Sequence, residues 1–117
     1  MANNKRSIDP AIIAAIIGVM GTFCVAAAIA RVQLLVACDS GPVHLATAVG
    51  TPVLALFGPT STARWGPPPP GRPLSLRLAC APCSNHGGDY CPEGHHRCLA
   101  DLAPEAVIAA AREMLRR

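Results

Sequence analysis

The sequence predicts an α/β protein, and three observations support that prediction. Two short apolar runs, residues 32–37 and 53–57, have the length and composition of buried strands and are bounded by turn residues. A short helical segment, residues 44–49, lies between them and ends at a Gly-Thr-Pro sequence. An amphipathic helix at residues 104–116 closes the chain. Two apolar strands joined through a helix form a βαβ unit, whose strands pair in parallel through a right-handed crossover.

Length and composition narrow the class of protein further. The 117 residues suit one domain and are too few for two lobes of roughly 150 residues each. Charged residues make up 15% of the chain, against a typical ~25%, which excludes a highly charged disordered tail. The net charge is only +3, and the sequence contains no basic block of the kind that nucleic-acid-binding proteins carry. We therefore expect no nucleic-acid partner.

The N-terminal part of the chain is an apolar segment whose role the sequence leaves open. Residues 11–30 contain no charged side chain, and Asp9-Pro10 before them is a typical helix start. A helix of this length matches the ~30 Å hydrocarbon core of a bilayer. Lys5 and Arg6 would supply the positive flank of a membrane anchor or a signal peptide. A buried helix of a soluble protein would begin in the same way, so membrane association through residues 11–30 and burial are both open.

The turn after the first predicted strand is the candidate binding site. Ligands of open parallel sheets bind beyond the carboxyl ends of the strands, where Asp39, Ser40 and Gly41 precede a helix N-terminus. Free N–H groups of that helix end would direct about half a positive charge toward an anion, which Gly41 would let approach closely. His44 could donate a hydrogen bond to a phosphate oxygen. The alternative is that Asp39 and Ser40 only cap the helix and that His44 is an ordinary polar residue.

The sequence around this turn resembles the signature of glycosyltransferase family 9, the ADP-heptose:lipopolysaccharide heptosyltransferases. The resemblance is carried by CDSGPVHLA at 38–46, AVGTPVLALFGPT at 48–60, RWGP at 64–67, CAPC at 80–83, CP at 91–92, HHRCL at 95–99 and PEAV at 104–107. The cysteine spacing is most similar to the heptosyltransferase II branch. We therefore divide the chain into an apolar helical segment without resemblance, 1–25, and the C-terminal part of a nucleotide-sugar-binding lobe, 26–117.

The resemblance implies a fold, an activity and a set of contacts. The fold would be part of the Rossmann-like C-terminal lobe of a GT-B enzyme, with a Cys-rich loop. The family transfers heptose from ADP-heptose to the lipopolysaccharide inner core without a metal cofactor. By the resemblance, Ser40 and Gly41 would offer N–H groups to the diphosphate. His44 would donate to phosphate, and Asp39 would contact the sugar or hold the turn. Trp65 either lines the sugar site or, more simply, packs a loop.

The resemblance also limits the activity that we expect. The family's N-terminal lobe, with the acceptor site and the catalytic carboxylate, has no counterpart in this sequence. The first strands of the C-terminal lobe are missing too. We therefore expect no catalytic residue in the chain, and a fragment that keeps part of the ADP-heptose site without turnover alone. The expected location is cytoplasmic, peripheral to the inner membrane or anchored in it.

Four cysteines form a second candidate site, because a Cys-x₂-Cys pair has the spacing that closes a thiolate chelate on zinc. The candidate ligands are Cys80, Cys83, Cys91 and Cys98, with His86, His95 or His96 as possible substitutes for one sulfur. Zinc would hold together a loop that is too polar and Pro-rich for burial to stabilise. Two disulfides in an oxidising compartment and free thiols are the alternatives. A zinc-binding interaction module and an exported or membrane-anchored Cys-rich protein therefore stay open. Cys24 and Cys38 lie in apolar segments, which predicts small buried residues.

Overall fold

Helices and strands alternate from α1 to β3, and two further helices, α4 and α5, follow. The computed structural model describes residues 9–117, so the charged pair Lys5 and Arg6 lies outside the described residues. The elements are α1 (Pro10–Ile29), β1 (Leu35–Cys38), α2 (Gly41–Val49), β2 (Val53–Leu56), α3 (Thr62–Trp65), β3 (Arg72–Leu74), α4 (Arg97–Ala100) and α5 (Pro104–Leu115). The strands form one parallel sheet in the order β1-β2-β3. The prediction of an α/β protein with parallel strands is confirmed.

Strand β2 lies at the centre of the sheet and supplies most of the core. It pairs with β1 from Leu35↔Val53 onward and with β3 from Leu54↔Arg72 onward. Val53, Leu54 and the following Phe57 are at most 1% exposed. A strand that is paired on both sides and buried reads as a continuous apolar run, which is why the sequence pattern located it correctly.

Helix α2 crosses from β1 to β2 and packs its apolar face on the sheet. Its Val43 and Ala46 are fully buried in the same cluster as Val53 and Phe57. The helix ends at Gly50, whose φ of 79° is left-handed and whose N–H donates to carbonyls of the last turn. Glycine adopts that conformation without the Cβ penalty of other residues, so the chain reverses at once into β2.

The structure differs from the sequence prediction in the number and position of strands. Strand β3 was not predicted, because it has three residues and includes Pro73, which cannot donate a ladder hydrogen bond. It pairs as the edge strand, where proline is tolerated. Strand β1 begins at Leu35, later than the predicted residue 32. The four-residue helices α3 and α4 are too short to show a helical period in the sequence.

Helix α1 forms as expected but is not buried. Asp9 Oδ1 accepts a hydrogen bond of 2.8 Å from the Ala11 N–H and so caps the helix start. Ile29 is its only buried residue, whereas Ile17 and Phe23 are 64% and 71% exposed. The interpretation as a buried helix is therefore wrong for this arrangement of residues 9–117. By length and composition, α1 is apolar enough to cross a membrane.

Two cysteines outside the candidate zinc set are also exposed. Cys24 on α1 and Cys38 at the end of β1 both reach solvent. The prediction that they are small buried residues is wrong. Cys24 is exposed because α1 has its one buried residue near its C-terminal end, and Cys38 is exposed because alternate residues of the edge strand β1 face solvent. Both thiols are free.

Helix α5 is held to the edge of the sheet by an ion pair. Glu113 Oε2 accepts a hydrogen bond of 2.7 Å from Arg72 Nη1 on β3, and its Oε1 accepts one of 3.0 Å from Arg117. The Arg72 hydrogen bond and charge, with a smaller contribution from Arg117, hold the pKa of Glu113 below its ordinary value. Because the groups are exposed, the pair orients α5 more than it stabilises the fold.

We predict that Glu113→Gln makes the stability of the chain less dependent on pH in acid. The folded-state pKa of Glu113 lies below the unfolded value of about 4.3. Its stabilising effect is therefore present above that value and is lost as pH falls through the folded pKa. Urea midpoints measured from pH 6 to pH 3 should fall less steeply for E113Q than for the parent chain. Glu93→Gln, at an exposed residue without an ion pair in residues 9–117, should keep the parent slope, and equal slopes for both variants would contradict this account.

Candidate functional site

The carboxyl ends of the three strands meet at one edge of the sheet. The Asp39 N–H donates to the Leu56 carbonyl at 3.0 Å, and the Phe57 N–H donates to the Leu74 carbonyl at 2.8 Å. These hydrogen bonds continue the pairing just past the last residues of the strands. The segments that leave β1, β2 and β3 therefore start side by side at this edge, which is where open α/β sheets bind ligands.

The turn after β1 leaves backbone donors free at the start of α2. Ser40 is the N-cap residue, with an extended backbone, but its side chain does not cap the helix. Its Oγ donates instead to the Cys38 carbonyl at 2.9 Å. Within residues 9–117, the N–H groups of Ser40 and Gly41 donate no hydrogen bond. The Ser40 side chain therefore does not cap the helix, and the N–H groups of Ser40 and Gly41 are open to an external acceptor. The roles of Asp39, Ser40, Gly41 and His44 in binding stay a prediction.

The predicted site residues line one pocket together with residues from helix α3 and from one distant loop. The pocket has a volume of about 190 Å³ and is lined by Asp39, Ser40, Gly41, His44, Trp65, Asn85 and His86. All four residues that the sequence singled out on this turn are thus brought together. Asn85 and His86 were missed as pocket residues, and His86 was instead assigned as a substitute metal ligand. No local pattern reports a contact between residues so far apart in the chain.

Trp65 connects the two sides of this pocket. Its ring stands edge-on to His44 with centroids 6.2 Å apart, and it lies 5.8 Å from the ring of His86. Its Nε1–H donates to the Asn85 carbonyl at 2.8 Å. The guanidinium of Arg64 stacks on the indole at 5.1 Å from the ring centroid. Trp65 therefore packs a loop, as the simpler interpretation held, and lines the pocket at the same time.

A larger cavity lies at the opposite edge of the sheet. Its volume is about 660 Å³, and its lining includes Pro52 and Gly71, which directly precede β2 and β3. Arg72 and Glu113 in its wall bind each other. The cavity is at the amino ends of the strands, and its charged groups Arg72, Glu113 and Arg117 are already paired with one another. We therefore place the candidate site at the smaller pocket.

The four candidate zinc cysteines line a third cavity, separate from the two described above. This cavity of about 90 Å³ is lined by Cys80, Cys83, Cys91, Cys98 and His95, among others. All four thiols are free, and Cys80 Sγ lies 3.9 Å from His95 Nε2. Among residues 9–117, no three His, Cys, Asp or Glu side chains are placed closely enough to hold one ion. Of the proposed histidine substitutes, only His95 reaches this cavity.

The thiol of Cys91 is in an environment that favours its thiolate form. Its sulfur accepts a hydrogen bond of 3.5 Å from the His96 N–H. This backbone hydrogen bond is the largest cause that lowers the pKa of Cys91 below its ordinary value. Thiolates are the reactive and metal-binding form of cysteine. The cavity thus contains one sulfur, that of Cys91, whose thiolate form is stabilised by a backbone hydrogen bond and can bind a cation or react with an electrophile.

The fold and the site define an α/β protein whose candidate pocket lies at the carboxyl edge of a parallel sheet. Residues 2–89 match the model of glycosyltransferase family 9 (heptosyltransferase), and the chain belongs to that family. The match begins before α1 and so includes most of the segment that we separated as residues 1–25. The boundary between residues 25 and 26 stays a prediction.

The chain is also similar to named heptosyltransferases. It is 38% identical over 90 residues to lipooligosaccharide heptosyltransferase 2 of Campylobacter jejuni subsp. jejuni serotype O:2, covering 75% of this chain and 27% of that protein. It is 33% identical over 87 residues to lipopolysaccharide heptosyltransferase 2 of Escherichia coli strain K12, covering 74% and 24%. It is 37% identical over 87 residues to lipopolysaccharide heptosyltransferase 1 of Pseudomonas aeruginosa, covering 72% and 24%. The chain thus spans about a quarter of the length of these curated relatives. No solved structure matches the chain significantly.

We predict that the fluorescence of Trp65 reports on the pocket. Trp65 is the only tryptophan in the sequence, and the rings of His44 and His86 stand beside it. His44→Ala and His86→Ala should each admit water to the indole and shift its emission to longer wavelength. His95→Ala is the matched control, because His95 lies in the cysteine cavity instead. An unchanged emission in both pocket variants, or an equal shift in H95A, would contradict the described pocket.

Proposed function

We propose that the pocket at the start of α2 binds the diphosphate of a nucleotide sugar, with ADP-heptose as the donor. One observation carries the proposal: the N–H groups of Ser40 and Gly41 are free at a helix N-terminus that opens into the pocket. A helix start supplies both aligned donors and a positive end of the dipole, which together favour phosphate. His44, one turn into the helix, adds a side-chain donor at the same pocket.

The glycine at position 41 supports a ligand that approaches the backbone closely. A Cβ built at Gly41 would meet no atom within 4 Å, and its φ is not left-handed. Neither packing nor backbone conformation in residues 9–117 therefore requires glycine there. A phosphate that lies against the backbone N–H groups would explain the missing side chain.

The remaining walls of the pocket fit the other parts of such a ligand. The indole of Trp65 with Arg64 stacked on it offers an apolar face beside a positive charge. Asp39 is half-buried at the turn and offers carboxylate oxygens that can accept hydrogen bonds from sugar hydroxyls. Asn85 and His86 would close the opposite side of the pocket. We assign these groups to binding the donor and none of them to catalysis.

The proposed reaction is the transfer of heptose from ADP-heptose to the lipopolysaccharide inner core in the cytoplasm. It follows from the family and from relatives named lipopolysaccharide and lipooligosaccharide heptosyltransferases. We propose that this chain contributes part of a Rossmann-like, GT-B C-terminal lobe, and that it binds the donor without turnover alone. The transfer itself needs no metal in this proposal, because the free backbone donors and His44 would donate hydrogen bonds to the oxygens of the diphosphate.

We predict that ADP binds the 117-residue chain and that His44→Ala weakens the binding about 10-fold. A hydrogen bond to a charged group contributes about 1.5–3 kcal/mol, and 1.4 kcal/mol corresponds to a factor of ten in affinity. Gly41→Ala should weaken ADP binding as strongly without loss of stability, because its Cβ meets no protein atom. Isothermal titration calorimetry measures the affinities, and urea unfolding measures the stability.

His95→Ala serves as the control for these variants, since it removes an imidazole outside the pocket. It should bind ADP as tightly as the parent chain. Binding of ADP that neither H44A nor G41A weakens would reject the site. Absence of any ADP binding by the folded parent chain would reject the function proposed for it.

A second candidate function is association with a membrane through α1. The specific observation is that this long apolar helix is almost wholly exposed on the described structure, from Ile12 to Val25. A helix that is apolar all round is stable only in a protein core or in lipid. We propose that α1 lies in the lipid bilayer and that the sheet and its pocket stay on the aqueous side.

We predict that the chain floats with vesicles of phosphatidylethanolamine and phosphatidylglycerol in a density gradient, at high as well as low salt. The double variant Ile17→Glu/Phe23→Glu should stay at the bottom, because each charge near a helix centre costs about 2.5–3.5 kcal/mol in a bilayer. Ile108→Glu places the same charge on exposed α5 and should still float. A parent chain that stays at the bottom, or a double variant that floats equally, would contradict the membrane proposal.

A further inference from the structure

The segment that carries the four cysteines, residues 75–100, has no hydrophobic core of its own. Between Pro67 and Ala110 no residue is buried, and residues 75–96 contain neither helix nor strand. The segment is attached to the turn after β2 through the N–H groups of Cys83 and Ser84, which both donate to the Pro59 carbonyl at 2.9 and 3.0 Å, and to α3 through the Trp65 indole, which donates to the Asn85 carbonyl at 2.8 Å. Ordering a residue costs about 1–2 kcal/mol in backbone entropy alone, so a segment without burial needs another source of stabilisation.

The thiols are placed where a cross-link would restrict the unfolded segment and so lower the entropy cost of ordering it. Cys80 and Cys83 lie at the start of the segment, whereas Cys91 and Cys98 lie at its end, and all four line the same cavity of about 90 Å³. A link between the two pairs would therefore close the segment as one loop. The cavity belongs neither to the nucleotide pocket nor to the family reaction proposed above.

The chemistry of the donors matches zinc. Four thiolates are a common tetrahedral set for structural Zn²⁺, with Zn–S distances of about 2.3 Å. The Cys80-x₂-Cys83 spacing closes a chelate, and the His96 N–H donates to the Cys91 sulfur at 3.5 Å, which favours the thiolate that a metal binds. His95 Nε2 lies 3.9 Å from Cys80 Sγ, and its Nδ1 accepts a hydrogen bond from the Arg97 N–H, so we treat His95 as a neighbour of the four sulfurs.

We propose that Cys80, Cys83, Cys91 and Cys98 bind one structural Zn²⁺ ion that holds this segment together. On binding, each thiol releases its proton to solvent and forms one bond to the metal. The thiols as placed are too far apart to share an ion. Binding therefore requires them to turn inward about their Cα–Cβ bonds, and the segment around them to contract. Two disulfides would need an oxidant, whereas zinc binding needs none.

The zinc site would also explain what holds Asn85 and His86 at the pocket near the start of α2. Asn85 and His86 lie between the two cysteine pairs, and Asn85 accepts the Trp65 indole hydrogen bond. A zinc ion that closes the segment would hold these residues against the pocket. Removing the ion should therefore loosen the contact of Asn85 with Trp65 and shift the indole emission, even in the absence of nucleotide.

The test measures metal content and thiol reactivity on the full 117-residue chain. Metal analysis by mass spectrometry should find one zinc per chain after purification in reducing buffer. The four cysteines should resist a thiol reagent until a chelator is added, and adding a reductant should not expose them. Cobalt added to the metal-free chain should give the intense visible absorption of tetrahedral cobalt–thiolate coordination.

Cysteine variants test which residues bind the metal. Cys83→Ser should lower the zinc affinity by more than the about 10-fold that loss of an outer-shell partner already costs, whereas Cys24→Ser on α1 should keep one zinc per chain. If C83S does not fold, the cobalt spectrum and the zinc titration of the parent chain still decide. Four reactive thiols without bound metal would overturn the proposal, and so would thiols that react only after reduction, since they would be disulfides. ADP titration of the same samples is a separate readout, so failure of either proposal is recognised independently.

Discussion

Strand β2 is hydrogen-bonded on both of its edges, and the rest of the described structure depends on that double pairing. Because all three strands are parallel, their carboxyl ends arrive at one edge of the sheet. The burial of Val53, Leu54 and Phe57 places β2 at the centre of the core, with apolar side chains packed on both faces of the strand. Helix α2 then packs Val43 and Ala46 on the same cluster, and its N-terminus is brought to the carboxyl edge of β1.

The pocket follows from this geometry. The turn after β1 presents backbone donors, α3 after β2 presents Trp65, and the cysteine-bearing segment after β3 presents His86. No single segment makes the site, and each contribution is short. The Ser40 Oγ donates to the Cys38 carbonyl, and the N–H groups of Ser40 and Gly41 donate no hydrogen bond within residues 9–117.

The parts that the sequence predicts well are those whose signal is local. The buried run of β2, the stop at Gly50 and the turn at Asp39 are all encoded within a few residues, and the structure has each of them. Strand β3 was missed because pairing with β2, rather than its own composition, makes Arg72–Leu74 a strand. The pocket role of His86 was missed for the same reason, since it depends on a contact across about twenty residues of chain. Whether α1 is buried also depends on packing against distant parts of the chain, and an apolar helical sequence alone does not predict that packing.

The central claim is that free backbone donors at the carboxyl edge of β1 bind the donor diphosphate. Amide NMR spectra recorded during a titration with ADP test it directly. The account predicts saturable shifts of the Ser40 and Gly41 amides, together with the Trp65 indole N–H, at one common affinity. Shifts confined to the cavity around Arg72 and Arg117, or no saturable shift at Ser40 and Gly41 in the folded chain, would contradict the account.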